Sequence, residues 1–152
     1  MKEVERILDQ LKRSFEGDAW HGPSVREVLA NVNAQKAMAH PIPAGHSIWE
    51  ITLHIGAWQH YVCKRLQGEA FEATPEQDWP QASSNDEKGW EETLNHLESG
   101  YQKLLAEIMK LSDDDLEKLI VPGKPYNLYF MVHGVIQHNL FHAGQIALLK
   151  KA

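Results

Sequence analysis

Cysteine is nearly absent from this chain. Cys63 is the only one in 152 residues, so no disulfide can form within the chain, and the pattern suits a reducing compartment. The cytoplasm is the expected location. There is also no apolar run near the 18 or so residues that a membrane-crossing helix needs. The opening stretch "MKEVERILDQLKRSFEGD" is charged throughout and lacks the apolar core of a secretion signal. The expectation is a protein that is neither exported nor embedded in a membrane. Basic clusters are missing as well: 15 Lys and Arg are scattered among 21 Asp and Glu, for a net charge of −6, which argues against a nucleic-acid surface. No segment alternates in the manner of a strand, and no repeat or low-complexity tract is present. What remains is a single all-α domain over residues 1–152, long enough to bury a core without cross-links.

Helical periodicity is abundant. Val4, Ile7, Leu8, Leu11 and Phe15 mark one amphipathic helix from Lys2 to about Glu16, ended by Gly17. Ser24 and Glu27 form a capping box that opens a short helix carrying Val25, Val28, Leu29 and Val32. Pro41 and Pro43 in "HPIPAGH" then stop the pattern, leaving a segment suited to crossing the end of a bundle. A second capping box, Ser47 with Glu50, starts a helix that runs to about Leu66. Phe71 to Asn85 reads as a long connection holding Pro75 and Pro80. Trp90, Leu94, Leu97, Tyr101, Leu104, Leu105 and Ile108 line one face of a third long helix, from about Asp86 to Lys110. "SDDDLEKLI" reads as a short helix capped by Ser112, "VPGKPYN" as a loop, and the last helix starts near Leu128 and runs to the end. The sum is a four-helix bundle with an extra short helix and room for a crossover before Ser47 or Asp86.

The last helix contains His138 and His142, one turn apart on an otherwise apolar segment, "VIQHNLFHAGQIALLKK". Residues four apart stand one above the other on a helix, so two imidazoles there can reach one ion. With 9 histidines in the chain, chance alone supplies roughly half such a pair, and partly buried histidines often only hydrogen-bond across the core. Further support comes from the helix that starts at Ser47. At roughly 100° per residue, His54 shares a face with Glu50, Ile51, Ala57, Trp58, Tyr61 and Arg65, while His60 falls on a more polar flank. The face of His138 and His142 carries Met131, Gly134, Val135, Gln145 and Leu149, and His133 points away. His54, His138 and His142 therefore face inward together. Three neutral imidazoles suit a borderline divalent transition metal, zinc or nickel first, with a coordination position left for water or substrate.

The segments "GHSIWEITLHIGAWQHY" and "HGVIQHNLFHAGQIALLKK", with "WHGPSVREVLANV" and "PIPAGHS", resemble the DinB-like (YfiT-like) metalloenzymes along nearly the whole chain. That resemblance implies a four-helix bundle in which one histidine of the second long helix and an H-x-x-x-H pair in the last bind a divalent metal. These ligands fall on His54, His138 and His142. It further implies activity as a metal-dependent thiol transferase acting with a low-molecular-weight thiol cosubstrate, and assembly as a homodimer. A metal-dependent hydrolase is the alternative by chemistry, since one open ion serves water or thiol. A non-catalytic bundle that binds a small molecule or partner is the alternative from another class.

Around the triad, Glu50 is a candidate ligand-orienting group or general base, set against its place in a capping box. Gln145, one turn beyond His142, is a candidate partner for a ligand or substrate. Tyr61 and Arg65 continue the His54 face, and the arginine could hold a carboxylate of a thiol cosubstrate. Trp49, Trp58 and Trp90 read as core. His21, His40, His46, His60, His96 and His133 read as loop or surface residues, of which His21 and His46 could approach an open end of the bundle. Cys63 reads as packing, and Asp113-Asp114-Asp115 as a helix-start charge cluster without the glycine and glutamate of a calcium loop.

Overall fold

A computed structural model of the protein describes residues 1–120 and 123–152. Among them the regular elements are helical: α1 (Glu3–Phe15), α2 (Val25–Leu29), α3 (Ala34–Met38), α4 (Ile48–Leu66), α5 (Pro75–Asp78), α6 (Glu87–Ile108) and α7 (Leu128–Leu149), with a 3₁₀ turn at Asp113–Glu117 between α6 and α7. The only extended pairing among the described residues is an isolated bridge between Leu119 and Asn127. Among the described residues no helix is long and apolar enough to cross a membrane.

The four long helices close a ring. α4 packs between α6 and α7, and α1 completes the circuit by touching both α7 and α6. Contacts along each pair give their directions. Trp49 Nε1 donates to Thr93 Oγ1 at 3.0 Å, Gly56 faces Leu97, Gln59 faces Gly100, and Gln67 reaches Glu107 at 3.2 Å. Numbers rise together on both helices, so α4 and α6 are parallel. α7 runs against α4, since His54 meets His138 while Arg65, further along α4, shares a cleft with Met131. α1 runs against α6: Phe15 stacks on Tyr101 with centroids 3.9 Å apart, while the Val4 amide donates to Asp113 beyond the end of α6.

Parallel neighbours cannot be joined by a tight turn, and this explains the length of the connection from Gln67 to Asp86. It retraces α4 from end to start. Arg65 Nε donates to the Phe71 carbonyl at 2.9 Å, the Tyr61 hydroxyl to that of Gln77 at 2.7 Å, and Trp58 Nε1 to Asp78 Oδ1 at 2.7 Å. α5 sits in this strap, opened by a Thr74–Gln77 capping box with Pro75 in the first turn.

The first connection departs from the expected single short helix. It holds two, α2 and α3, because Asn31 adopts a left-handed conformation (φ 61°) that ends the first, and the Asn33 side chain caps the second by accepting from the Lys36 amide at 2.9 Å. α2 lies on α7, and α3 on α4 and α6. The acidic segment after Ser112 keeps its cap but is a 3₁₀ turn. Val121 and Pro122 of the expected "VPGKPYN" loop lie outside the described residues. Trp49 and Trp90 are core, as their spacing implied, with Trp90 Nε1 donating to the Val32 carbonyl at 2.7 Å. Trp58 is instead half-buried on the wall of the cleft beside the histidines.

Candidate metal centre

Antiparallel packing of α4 on α7 brings His54, His138 and His142 together, with one ring nitrogen of each within 4.8 Å of the others. His54 Nε2 and His138 Nε2 are 2.9 Å apart. His54 and His142 are buried and His138 is half-buried. Two of the three rings are tied from behind. His54 Nδ1 lies 2.6 Å from the Asp78 carbonyl, which can only accept, so that nitrogen carries the proton and Nε2 presents a lone pair inward. His142 Nδ1 lies 2.7 Å from Gln145 Oε1 and takes the same tautomer when the amide oxygen is the acceptor.

Burial disfavours the charged form of all three rings. His138 is pushed down to about 3, by burial first and then by the neighbouring His142 and His54. Burial likewise lowers His54 and His142, against the opposing pull of the hydrogen bonds to Asp78 and Gln145 respectively. Neutral imidazoles with converging lone pairs are the donor set that a borderline divalent cation takes, and the residues present fit such an ion. Among the described residues no fourth His, Cys, Asp or Glu joins the cluster.

The triad borders a cleft of about 370 Å³ lined by His54, Trp58, Val62, Arg65, Asp78, Met131, Gly134, Val135 and His138. Its walls are mostly apolar, with the imidazoles, one carboxylate and one guanidinium as polar exceptions. That composition is typical of a small-molecule site.

The other sequence candidates distribute unevenly. Gln145 lies behind His142, as its spacing suggested. Arg65 lines the cleft, with burial pulling its pKa down. Tyr61 is buried and spends its hydroxyl on the strap. Glu50 is held in its capping box: its carboxylate accepts from the Ser47 amide at 2.8 Å and faces His40 Nε2 at 3.2 Å and His46 Nδ1 at 3.4 Å. Cys63 is buried and its thiol is pushed up to about 11, mainly by burial, which agrees with a packing role. His60 is exposed and apart from the triad.

Sequence reasoning missed Asp78 and Trp79. The Trp79 indole stacks nearly parallel on His54, with centroids 3.9 Å apart at 5°, and His46 stacks on its other face at 3.5 Å and 5°. His46, expected in a connection near the open end, thus reaches the centre through Trp79. The Thr74-Pro75 cap was a legible local signal, but nothing local tells where the strap docks.

A bundle of four long helices with three convergent histidines where α4 packs on α7 defines the class of this protein as a helical bundle with a candidate metal centre. A family model described as the DinB superfamily matches residues 19–146, and the chain belongs to that superfamily. No curated protein and no solved structure matches it. Membership and the triad together are compatible with a divalent metal.

Proposed function

We propose that this chain is a divalent-metal-dependent enzyme that holds zinc or nickel through His54, His138 and His142 and activates a thiol for transfer to an electrophile. The observation that carries the reading is the convergence of three neutral imidazoles beside an apolar cleft that His54 and His138 line, with His54 and His142 oriented from behind by the Asp78 carbonyl and Gln145. An ion held by three protein ligands supplies an open coordination position and lowers the pKa of a bound thiol or water toward neutrality. Thiol transfer ranks first on the family resemblance. Arg65, on the same wall, is placed to pair with a carboxylate of a low-molecular-weight thiol. Gln145 is assigned a positioning role on His142, and Glu50 a structural one at the start of α4. Tyr61 anchors the strap through its hydroxyl, and Arg65, whose Nε also holds the strap at the Phe71 carbonyl, would meet the cosubstrate with its remaining N–H groups. Hydrolysis is the second reading, favoured by the Asp78 carboxylate, which lines the cleft beside the triad and could accept a proton from water.

Elemental analysis of tag-free protein tests the metal. About one equivalent of transition metal per chain is expected, lost in His142→Ala and kept in His21→Ala. Conjugation of a low-molecular-weight thiol to monochlorobimane tests the transfer, and it should proceed only with metal-loaded protein. Absence of metal after reconstitution overturns the metal centre. Equal background rates with and without metal for every thiol tried overturn the thiol-transfer reading.

A further inference from the structure

Trp79 is the last anchor of the strap. Ahead of it, side chains of α4 pin the strap one by one: Arg65 holds the Phe71 carbonyl, Tyr61 that of Gln77, and Trp58 the Asp78 carboxylate. Beyond Pro80, residues 81 to 85 are exposed, and the next fixed point is the start of α6. The end of the strap is therefore held by the Trp79 indole. That ring is gripped on both faces. His54 lies against one at a centroid distance of 3.9 Å and His46 against the other at 3.5 Å, each 5° from parallel. Two coplanar imidazoles, eight residues apart in sequence, close on one indole as a pair of jaws.

The two jaws differ. His54 is buried, and its ring nitrogens already meet His138 and the Asp78 carbonyl. His46 keeps half of its side chain in water, yet its place is fixed from behind. The Glu50 carboxylate lies 3.4 Å from His46 Nδ1 and 3.2 Å from His40 Nε2, and it is itself held by the Ser47 amide at 2.8 Å. A carboxylate committed to a helix cap has little freedom to swing, so the imidazole it faces stays put. The structure assigns His46 as a positioning residue for the metal centre: it clamps Trp79 against His54, and the clamp keeps the adjoining Asp78 carbonyl 2.6 Å from His54 Nδ1. A proton held on Nδ1 leaves the Nε2 lone pair facing the other two imidazoles. Without the outer jaw, water reaches the free face of the indole, the ring turns, and the strap carries the carbonyl off His54. His54 then takes either tautomer, of which only one presents Nε2 as a ligand. The inference rests on the reading of the triad as a metal centre and adds to it a residue from outside the cleft.

Nitrogen NMR of isotopically labelled imidazoles in the metal-free full chain tests the clamp without any ion. The natural chain is expected to carry the His54 proton on Nδ1 alone. His46→Ala should show both tautomers, and His46→Phe, which returns a flat ring to the outer face of Trp79, should restore one. Competition between the protein and a chromophoric chelator for zinc gives a second readout. His46→Ala is expected to bind zinc about threefold to tenfold more weakly, less than the roughly 10–100-fold loss typical of a group in direct contact with a ligand. His46→Phe should bind close to the natural affinity, an outcome that separates stacking from loss of the imidazole as such. Helicity by circular dichroism should be unchanged in both variants, because the side chain at position 46 is half exposed. The natural tautomer and zinc affinity in His46→Ala, or a failure of His46→Phe to restore them, overturns the proposal. Absence of zinc binding in the natural chain overturns the metal reading instead, and the tautomer comparison, made without metal, still decides the clamp.

Discussion

Gln59 is the least comfortable residue in the core. It is 1% exposed, and neither atom of its amide has a hydrogen-bond partner among the described residues. It packs against Gly100 on the facing helix, where a Cβ would stand 2.8 Å from Gln59 Oε1. An unpaired buried amide costs about 1–3 kcal/mol, whereas an apolar group of similar shape costs nothing comparable. Gln59→Leu is therefore expected to stabilise the protein by about 1 kcal/mol or more. Gly100→Ala should change stability by less than about 1 kcal/mol, because the close contact is with the far end of a flexible side chain that can turn aside and alanine gains helix propensity over glycine within α6. Urea unfolding of the two variants checks both, and a loss of stability in Gln59→Leu would show that the amide has a partner. At this scale the histidines were the legible part of the site. Helical periodicity alone turns His54, His138 and His142 inward and His60 and His133 elsewhere, because a wheel needs only residue spacing. Glu50 shows the limit of the wheel: it shares the His54 face, yet its carboxylate is already committed to the Ser47 amide one turn back.

Among the elements, the strap from Gln67 to Asp86 carries the largest consequence for the site. It supplies the Asp78 carbonyl that fixes the His54 tautomer and the Trp79 ring that fixes its plane. A ligand oriented by such partners typically loses about 10–100-fold in metal affinity when they are removed. Trp79→Leu is expected to weaken zinc binding within that range, and Trp79→Phe, which keeps a flat ring against His54, to restore most of it. Competition with a chromophoric chelator measures the difference, and wild-type affinity in Trp79→Leu would remove Trp79 from the supporting shell. The boundaries of α1, α4, α6 and α7 follow from apolar spacing and capping residues. The split of α2 from α3 does not, because it turns on one left-handed residue, Asn31, whose conformation no periodicity announces.

For the whole molecule, the centre joins α4 to α7 across 84 residues of sequence between His54 and His138. An ion held there binds the folded chain and not the unfolded one, so it stabilises the fold by mass action, by about 2.7 kcal/mol at a free concentration 100 times its dissociation constant. Adding zinc to metal-free protein should raise the melting temperature in calorimetry, with the shift abolished in His142→Ala and retained in His21→Ala. A melting temperature indifferent to zinc would show that the triad is a packing cluster. What the sequence by itself determined is whatever depends on near neighbours along the chain: four long helices, their caps, and the inward face of each histidine, since helix geometry repeats every 3.6 residues regardless of surroundings. Tertiary structure alone decided that α4 and α6 run parallel. That direction compels the connection to travel back along α4, and only this return path lays Asp78 and Trp79 against His54, far from where local spacing could have placed them.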